Sequence, residues 1–218
     1  EVALHHRRSR TLLLTDTIVS VPAEPPEVVQ LNPYPLLFHA KDTATDTPPD
    51  TPAQRRKGWQ RIALFSFFFR PQALGVVPLG EAIQQAKAAS DRSRQAYWGL
   101  YPFQWQDNWE AAFAALRGEG RPFVAPILQT LILNRGPDIT ITWANQVASW
   151  EFERIIPCHL AAPLAADARQ FRHAFGFLDE TPAPLNAPAY PLPDEDFELL
   201  RSLDATLSKT GITPPAQR

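Results

Sequence analysis

The chain has 218 residues, an apolar fraction of 44% and a formal net charge of −2. That apolar content supports a packed core and excludes wholesale disorder, and the slightly acidic balance excludes the basic surface that nucleic acid demands. A single cysteine, Cys158, excludes an internal disulfide framework and cannot by itself build a thiolate metal site, and it favours a reducing compartment.

The chain begins Glu1–Val2–Ala3 and contains no Met, which reads as a processed protein or a C-terminal fragment whose targeting sequence is gone. No run of about 20 apolar residues exists, so no transmembrane segment is expected. Val2–Leu4 predicts a strand, His5–Arg10 a polar turn and Thr11–Leu14 a second strand, together a hairpin with basic residues at its tip. Ile18–Val21 continues the alternation, giving either one strand or a strand–turn–strand pair with Asp16 at the bend. Pro22 to Pro52 predicts a long irregular excursion, with Asp42–Asp50 its most mobile part. Arg55–Arg56–Lys57–Gly58–Trp59 reads as a basic turn opening a helix that runs into Ile62–Phe69. That apolar run is bounded by charges and Pro71 and reads as buried core.

Helices are predicted at Gly80–Arg92, Trp105–Leu116, Pro122–Asn134 (regular from about Pro126) and Pro137–Trp150. In the last, Ile139, Trp143, Val147 and Trp150 recur at three- and four-residue spacing and predict one apolar face. Phe152–His159 reads as a short strand that Pro157 ends, followed at once by a histidine. Pro163–Leu178 predicts a helix burying Phe171, Phe175 and Leu178. A Pro-rich linker leads to a helix at Asp194–Leu207, whose acidic first turn complements the helix dipole. The organisation expected is a domain over residues 1–178, a linker over 179–193, and a C-terminal helix and tail over 194–218. So few strands cannot make a well-covered sheet, and partner strands are expected from an absent N-terminal half or another chain.

The one chemistry-bearing constellation is Asp16 with His159. Each follows a strand end, where layered sheet folds place their sites, and together they are candidate metal ligands. Each also has a structural reading: a carboxylate at a strand end caps turns, and a histidine after a strand forms hydrogen bonds. A zinc site takes three or four protein ligands. His5 and His6 read as solvated turn residues, and His39 and His173 stand without ligand spacing. Cys158 adjoins His159, but neighbours on a strand point to opposite faces, which argues against a Cys–His dyad. Arg7–Arg10 is one candidate for binding an anion, and Arg55, Arg56 and Lys57 with Trp59 are another; the alternative is that both runs are simply solvated. Trp98, Tyr101, Phe103, Trp105 and Trp109 form an aromatic cluster that suits either an interface or a plug at one end of a domain.

Four stretches carry a family resemblance: Arg8–Ser9–Arg10–Thr11–Leu12–Leu13–Leu14–Thr15–Asp16, Arg55–Arg56–Lys57–Gly58–Trp59, Ala125–Pro126–Ile127–Leu128–Gln129–Thr130–Leu131 and Arg154–Ile155–Ile156–Pro157–Cys158–His159. They resemble the C-terminal half of an uncharacterised family, a domain of unknown function from cyanobacteria, algae and plants, which itself resembles the metallo-β-lactamase fold. The resemblance runs to about Leu178. It implies an α+β protein, a metallo-β-lactamase-like αββα sandwich with several outer helices and long Pro-rich loops. In active members of that superfamily a His-x-His-x-Asp-His motif lies in the N-terminal half. A later Asp bridges two metals, and a His near the end completes the second site. The resemblance puts Asp16 and His159 at those two positions, and His5 or His6 near an intermediate histidine, at a shorter spacing than usual. The His-x-His-x-Asp-His motif is nowhere in this chain. If the site is complete, the cofactor implied is zinc, iron or manganese.

Two functions follow. One is a non-catalytic or degenerate relative, a pseudoenzyme acting as an interaction or accessory module. Its protein partners would belong to a photosynthetic membrane complex of the chloroplast, with the protein in the stroma or associated with the thylakoid. The other is a metal-dependent hydrolase, in which metal-bound water attacks an ester, amide or phosphodiester and the remaining ligands lie in the absent N-terminal half. The missing motif, the Pro-rich stretches and the aromatic cluster favour the first.

Overall fold

The computed structural model describes residues 1–179 and 192–217, so most of the expected linker lies outside the described residues. In chain order the elements are β1 (Ala3–His6), β2 (Thr11–Leu14), α1 (Glu27–Gln30), α2 (Tyr34–Ala40), α3 (Pro52–Phe68), β3 (Leu74–Val76) and α4 (Leu79–Ala88). Then come β4 (Phe103–Trp105), α5 (Trp109–Arg117), α6 (Pro126–Leu131), α7 (Pro137–Ala148), β5 (Arg154–Ile156), α8 (Ala168–His173) and α9 (Glu198–Lys209). About half of the protein is helical and the sheets are small, an α+β composition. The chain forms two compact units, Glu1–Pro22 with Arg117–Arg218, and Ala23–Leu116.

The first unit is built on a three-stranded sheet in the order β1-β2-β5. β1 and β2 are antiparallel, joined by a single 3-10 turn at Arg7–Ser9. This is the hairpin with a basic tip that the sequence predicts. His5 and His6 lie within β1 rather than in the turn. β2 runs parallel to β5, with Leu12 opposite Ile155 and Leu13 opposite Ile156. The two-residue period of a strand sends Leu12, Leu14 and Ile155 into a core shared with Val124, Val147, Phe152, Phe171 and Phe175. β2 ends at Leu14, and beyond the bend at Thr15–Thr17 only Val19 pairs again, as an isolated bridge to Phe123.

Helix α7 buries Thr140, Ala144 and Val147, while Ile139 is exposed. Successive four-residue steps on a 3.6-residue helix each rotate about 40°, so Ile139 sits about 80° from Val147 and off the stripe. The predicted helix over Pro163–Leu178 is shortened to α8, because Leu164 instead bridges Ile155 as an added edge to the sheet. Asp167 opens α8 with a reciprocal capping box to Gln170. Phe171, Phe175 and Leu178 are buried as expected. The acidic turn Asp194–Phe197 leads into α9, whose Leu200 is fully buried.

In the second unit the stretch read as irregular, Pro22 to Pro52, carries α1 and α2. Proline there starts helices rather than breaking them: Pro35 sits in the first turn of α2, where its missing N–H leaves no bond unmade. The segment Asp42–Asp50 is tied down. Asp46 accepts hydrogen bonds from the N–H groups of Asp42 and Thr43, and Asp50 pairs with Arg55. The basic run lies inside α3, which starts at Pro52 with Thr51 as its cap. Helices α2 and α3 meet so closely at Gly58 that a Cβ there would lie 1.8 Å from the Leu36 carbonyl oxygen. β3 and β4 form an antiparallel pair, each three residues long and too short to leave a periodic signal in the sequence.

Candidate functional site

The parallel pairing of β2 with β5 brings the C-terminal ends of both strands to one edge of the sheet. Contact continues past the strands, where the Cys158 N–H donates to the Thr15 carbonyl over 3.3 Å. Asp16 and His159 follow, and His159 Nε2 lies 2.8 Å from Asp16 Oδ1. The carboxylate oxygen accepts, so Nε2 is the donor of this bond. Both side chains are exposed, 62% for Asp16 and 59% for His159, so water competes for the bond. Directly after His159 the chain turns at Leu160, whose φ of 64° is strained for a branched residue. Asp16 is held from the other side by the Glu1 carboxylate, which accepts from the Thr15 N–H (3.0 Å), the Thr15 hydroxyl (2.7 Å) and the Asp16 N–H (3.2 Å).

The other histidines of the hairpin are engaged elsewhere. His5 Nε2 donates to the Glu151 carbonyl over 3.0 Å and its ring stacks on Trp150 at 5.8 Å. His6 Nδ1 lies 2.6 Å from the Ser9 hydroxyl. Among the described residues no group of three or more His, Cys, Asp or Glu side chains is arranged to hold a metal ion. Two donors, already bonded to each other, do not by themselves fit a zinc, iron or manganese site, and no step through a metal is derived from them. Cys158 is an exposed free thiol.

Of the basic run Arg7–Arg10, Arg10 meets Glu153 at 3.1 Å, and Arg55, Arg56 and Lys57 each hold a carboxylate of their own unit. Arg55 grips Asp50 through two nitrogens at 2.5 and 2.7 Å, Arg56 meets Glu24 at 2.6 Å, and Lys57 meets Asp42 at 2.7 Å. Trp59 is buried.

The most built cluster of charge is one that sequence reasoning missed. Arg61, only 2% exposed, donates to the Lys41 carbonyl at 2.8 Å and to Asp42 Oδ1 at 2.7 Å. Its guanidinium lies over the rings of Trp105 (5.2 Å) and Trp109 (4.8 Å), and the Tyr101 hydroxyl donates to the same Lys41 carbonyl. Burial alone would raise the Asp42 carboxyl, but hydrogen bonds from Lys57 and Arg61 and their charges hold it below its ordinary value. Burial, with the Arg61 charge beside it, pushes the His39 imidazole down to about 4, and burial pushes the Tyr101 phenol up. The available signal was Arg61, two residues after Trp59 and directly before the apolar run Ile62–Phe69, with tryptophans elsewhere to cover it. The predicted aromatic cluster is in part this cover.

Residues 1–177 match the family described as Domain of unknown function (DUF4336). The chain belongs to that family. No curated protein and no solved structure gives a significant match. Within the family domain, then, stand an exposed Asp–His pair at a sheet edge and a buried arginine centre. The first stands open to solvent, where it can meet a ligand. The second holds helices and loops in place.

Proposed function

We propose that this member of the family is a non-catalytic interaction module, a degenerate metallo-β-lactamase-like αββα sandwich that serves protein partners. One observation carries this reading: Asp16 and His159 satisfy each other directly at 2.8 Å, without a third ligating side chain among the described residues. An imidazole nitrogen that donates to a carboxylate offers no lone pair to a metal, and the ring's other nitrogen alone falls short of the three or four ligands that a zinc site takes. The small sheets support the same reading, because a sheet of three strands leaves an apolar row open, Leu4, Leu13 and Ile156 lying side by side across it. The chloroplast setting, with a photosynthetic membrane complex as the partner, is the expectation that follows from the resemblance.

A second reading, a metal-dependent hydrolase with ligands supplied from outside these residues, has one observation in its favour. The parallel register places Asp16 and His159 at one strand-end edge, where a bridging ligand set would begin. Metal content after incubation with zinc, iron(II) or manganese(II) and gel filtration separates the two, measured beside Asp16→Ala and His159→Ala. The module reading expects substoichiometric metal that neither variant changes. Near-stoichiometric metal lost in both variants overturns it and leaves the hydrolase.

A further inference from the structure

The second unit displays an apolar surface with its own basic rim, separate from the Asp16–His159 edge. At its centre are Tyr97 and Trp98, with φ of 50° and 57°, two consecutive aromatic residues in the left-handed region. Both are exposed, by 58% and 62%. Backbone strain in bulky residues persists only where the surroundings enforce it. Here the enforcement is visible: the Trp98 N–H donates to the Ser93 carbonyl at 2.9 Å, and the Gly99 N–H to Ala96 at 2.9 Å. Gly99 packs flush on α4, where a Cβ would fall 2.8 Å from Ala89 Cβ and 2.9 Å from the Ala86 carbonyl. The fold therefore presents these two rings to solvent at the expense of local strain.

Apolar exposure continues around the turn. Leu79 and Ile83, one turn apart on α4 and leading to Ala86 beneath Gly99, are 72% and 46% exposed. Val76, 54% exposed, pairs across the small sheet with Phe103, which touches Phe38, and Phe38 in turn touches Tyr97 at 5.2 Å. The surface around these residues is basic although the chain is acidic overall. Between Phe69 and Trp98 there are four cations (Arg70, Lys87, Arg92, Arg94) and two carboxylates, of which Asp91 is already bonded to Tyr34 and Ser93. Lys87, Arg92 and Arg94 are all exposed, and Arg92 adjoins Gly99.

Exposed Trp and Tyr beside Leu, Ile and Val, rimmed by Lys and Arg, is the composition that settles into the headgroup boundary of an anionic bilayer. A purely apolar protein groove would leave the rim charges without partners, whereas lipid phosphates complement them. We propose that the face formed by Val76, α4 and the Tyr97–Trp98 turn binds peripherally to an anionic membrane surface, the rings and aliphatic side chains entering the headgroup layer and the three cations pairing with phosphates. No helix among the described residues is long and apolar enough to cross a membrane, and peripheral attachment does not need one.

Vesicle flotation tests this with the whole chain. Vesicles of equal parts phosphatidylglycerol and phosphatidylcholine are expected to carry the protein upward at low salt, pure phosphatidylcholine much less, and added salt releases it. The double variant Arg92→Glu/Arg94→Glu and, separately, Leu79→Ser/Trp98→Ala each weaken binding by about tenfold or more. All four positions are exposed, so melting temperature and circular dichroism stay those of the parent. As a second readout, lipid-borne bromine quenches tryptophan emission in the parent and no longer does so in Trp98→Phe, which keeps an aromatic ring in the turn. Failure of the parent to float on anionic vesicles overturns the proposal, as does flotation that both double variants retain; binding only to a protein fraction of membranes points to a protein partner and overturns it equally.

Discussion

Arg61 with Asp42 and His159 with Asp16 each join a nitrogen donor to a carboxylate at about the same length, 2.7 and 2.8 Å, and they differ in almost everything else. Arg61 is buried, stacked over two indoles and bonded to a backbone carbonyl, so its charge has been withdrawn from water and every partner matters. His159 and Asp16 stand in solvent, where either can exchange its partner for water. The lesson is that the group most built into the fold is the one with no chemistry left to do. The exposed pair is free to meet a ligand yet contributes little to holding the fold.

The largest expected effect breaks the buried centre through the backbone. Gly58→Ala would drive a methyl into the Leu36 carbonyl and part α2 from α3, lowering unfolding free energy by more than about 4 kcal/mol in urea titration. Next is Arg61→Ala, which leaves the Lys41 carbonyl with only the Tyr101 hydroxyl and empties the space over two indoles, for about 3 kcal/mol. A pH dependence sharpens the same comparison. His39 is held neutral to about 4 in the fold but protonates near 6.5 when unfolded, so the unfolded state binds the proton first as pH falls. Stability from this group is full above about 6.5 and is lost between there and about 4, about 3 kcal/mol in all. His39→Phe, fitting among the rings of Phe38, Phe65 and Phe103, flattens that slope in denaturation curves taken across the window. The smallest effect belongs to His159→Ala, below about 1 kcal/mol in the same titration. A loss as large as that of Arg61→Ala would show that the exposed pair is a structural clamp after all.

What the sequence made legible follows the range of the physics involved. The hairpin with its basic tip, the strand that Pro157 ends, and the burial of Phe171, Phe175 and Leu178 come from period and punctuation within a few residues. Even the meeting of Asp16 with His159, 143 positions apart, was readable, because two strand ends with polar residues have few ways to pair in one sheet. The Arg61 centre was not readable, since its partners Lys41, Asp42, Trp105 and Trp109 gather only once α2, α3 and α5 have packed. Helices α1 and α2 were hidden by proline density, although proline at a first turn favours a helix. Ile139 was misplaced by a spacing rule that ignores the drift of a four-residue repeat.

The measurement that bears most directly on the functional reading is the nitrogen spectrum of the His159 imidazole during zinc titration of the whole chain. The expected result is an Nε2–H group bonded to Asp16, with signals that do not move at one equivalent of metal. A stoichiometric shift of the Nε2 resonance, absent in Asp16→Ala, would contradict it and make this edge a metal site.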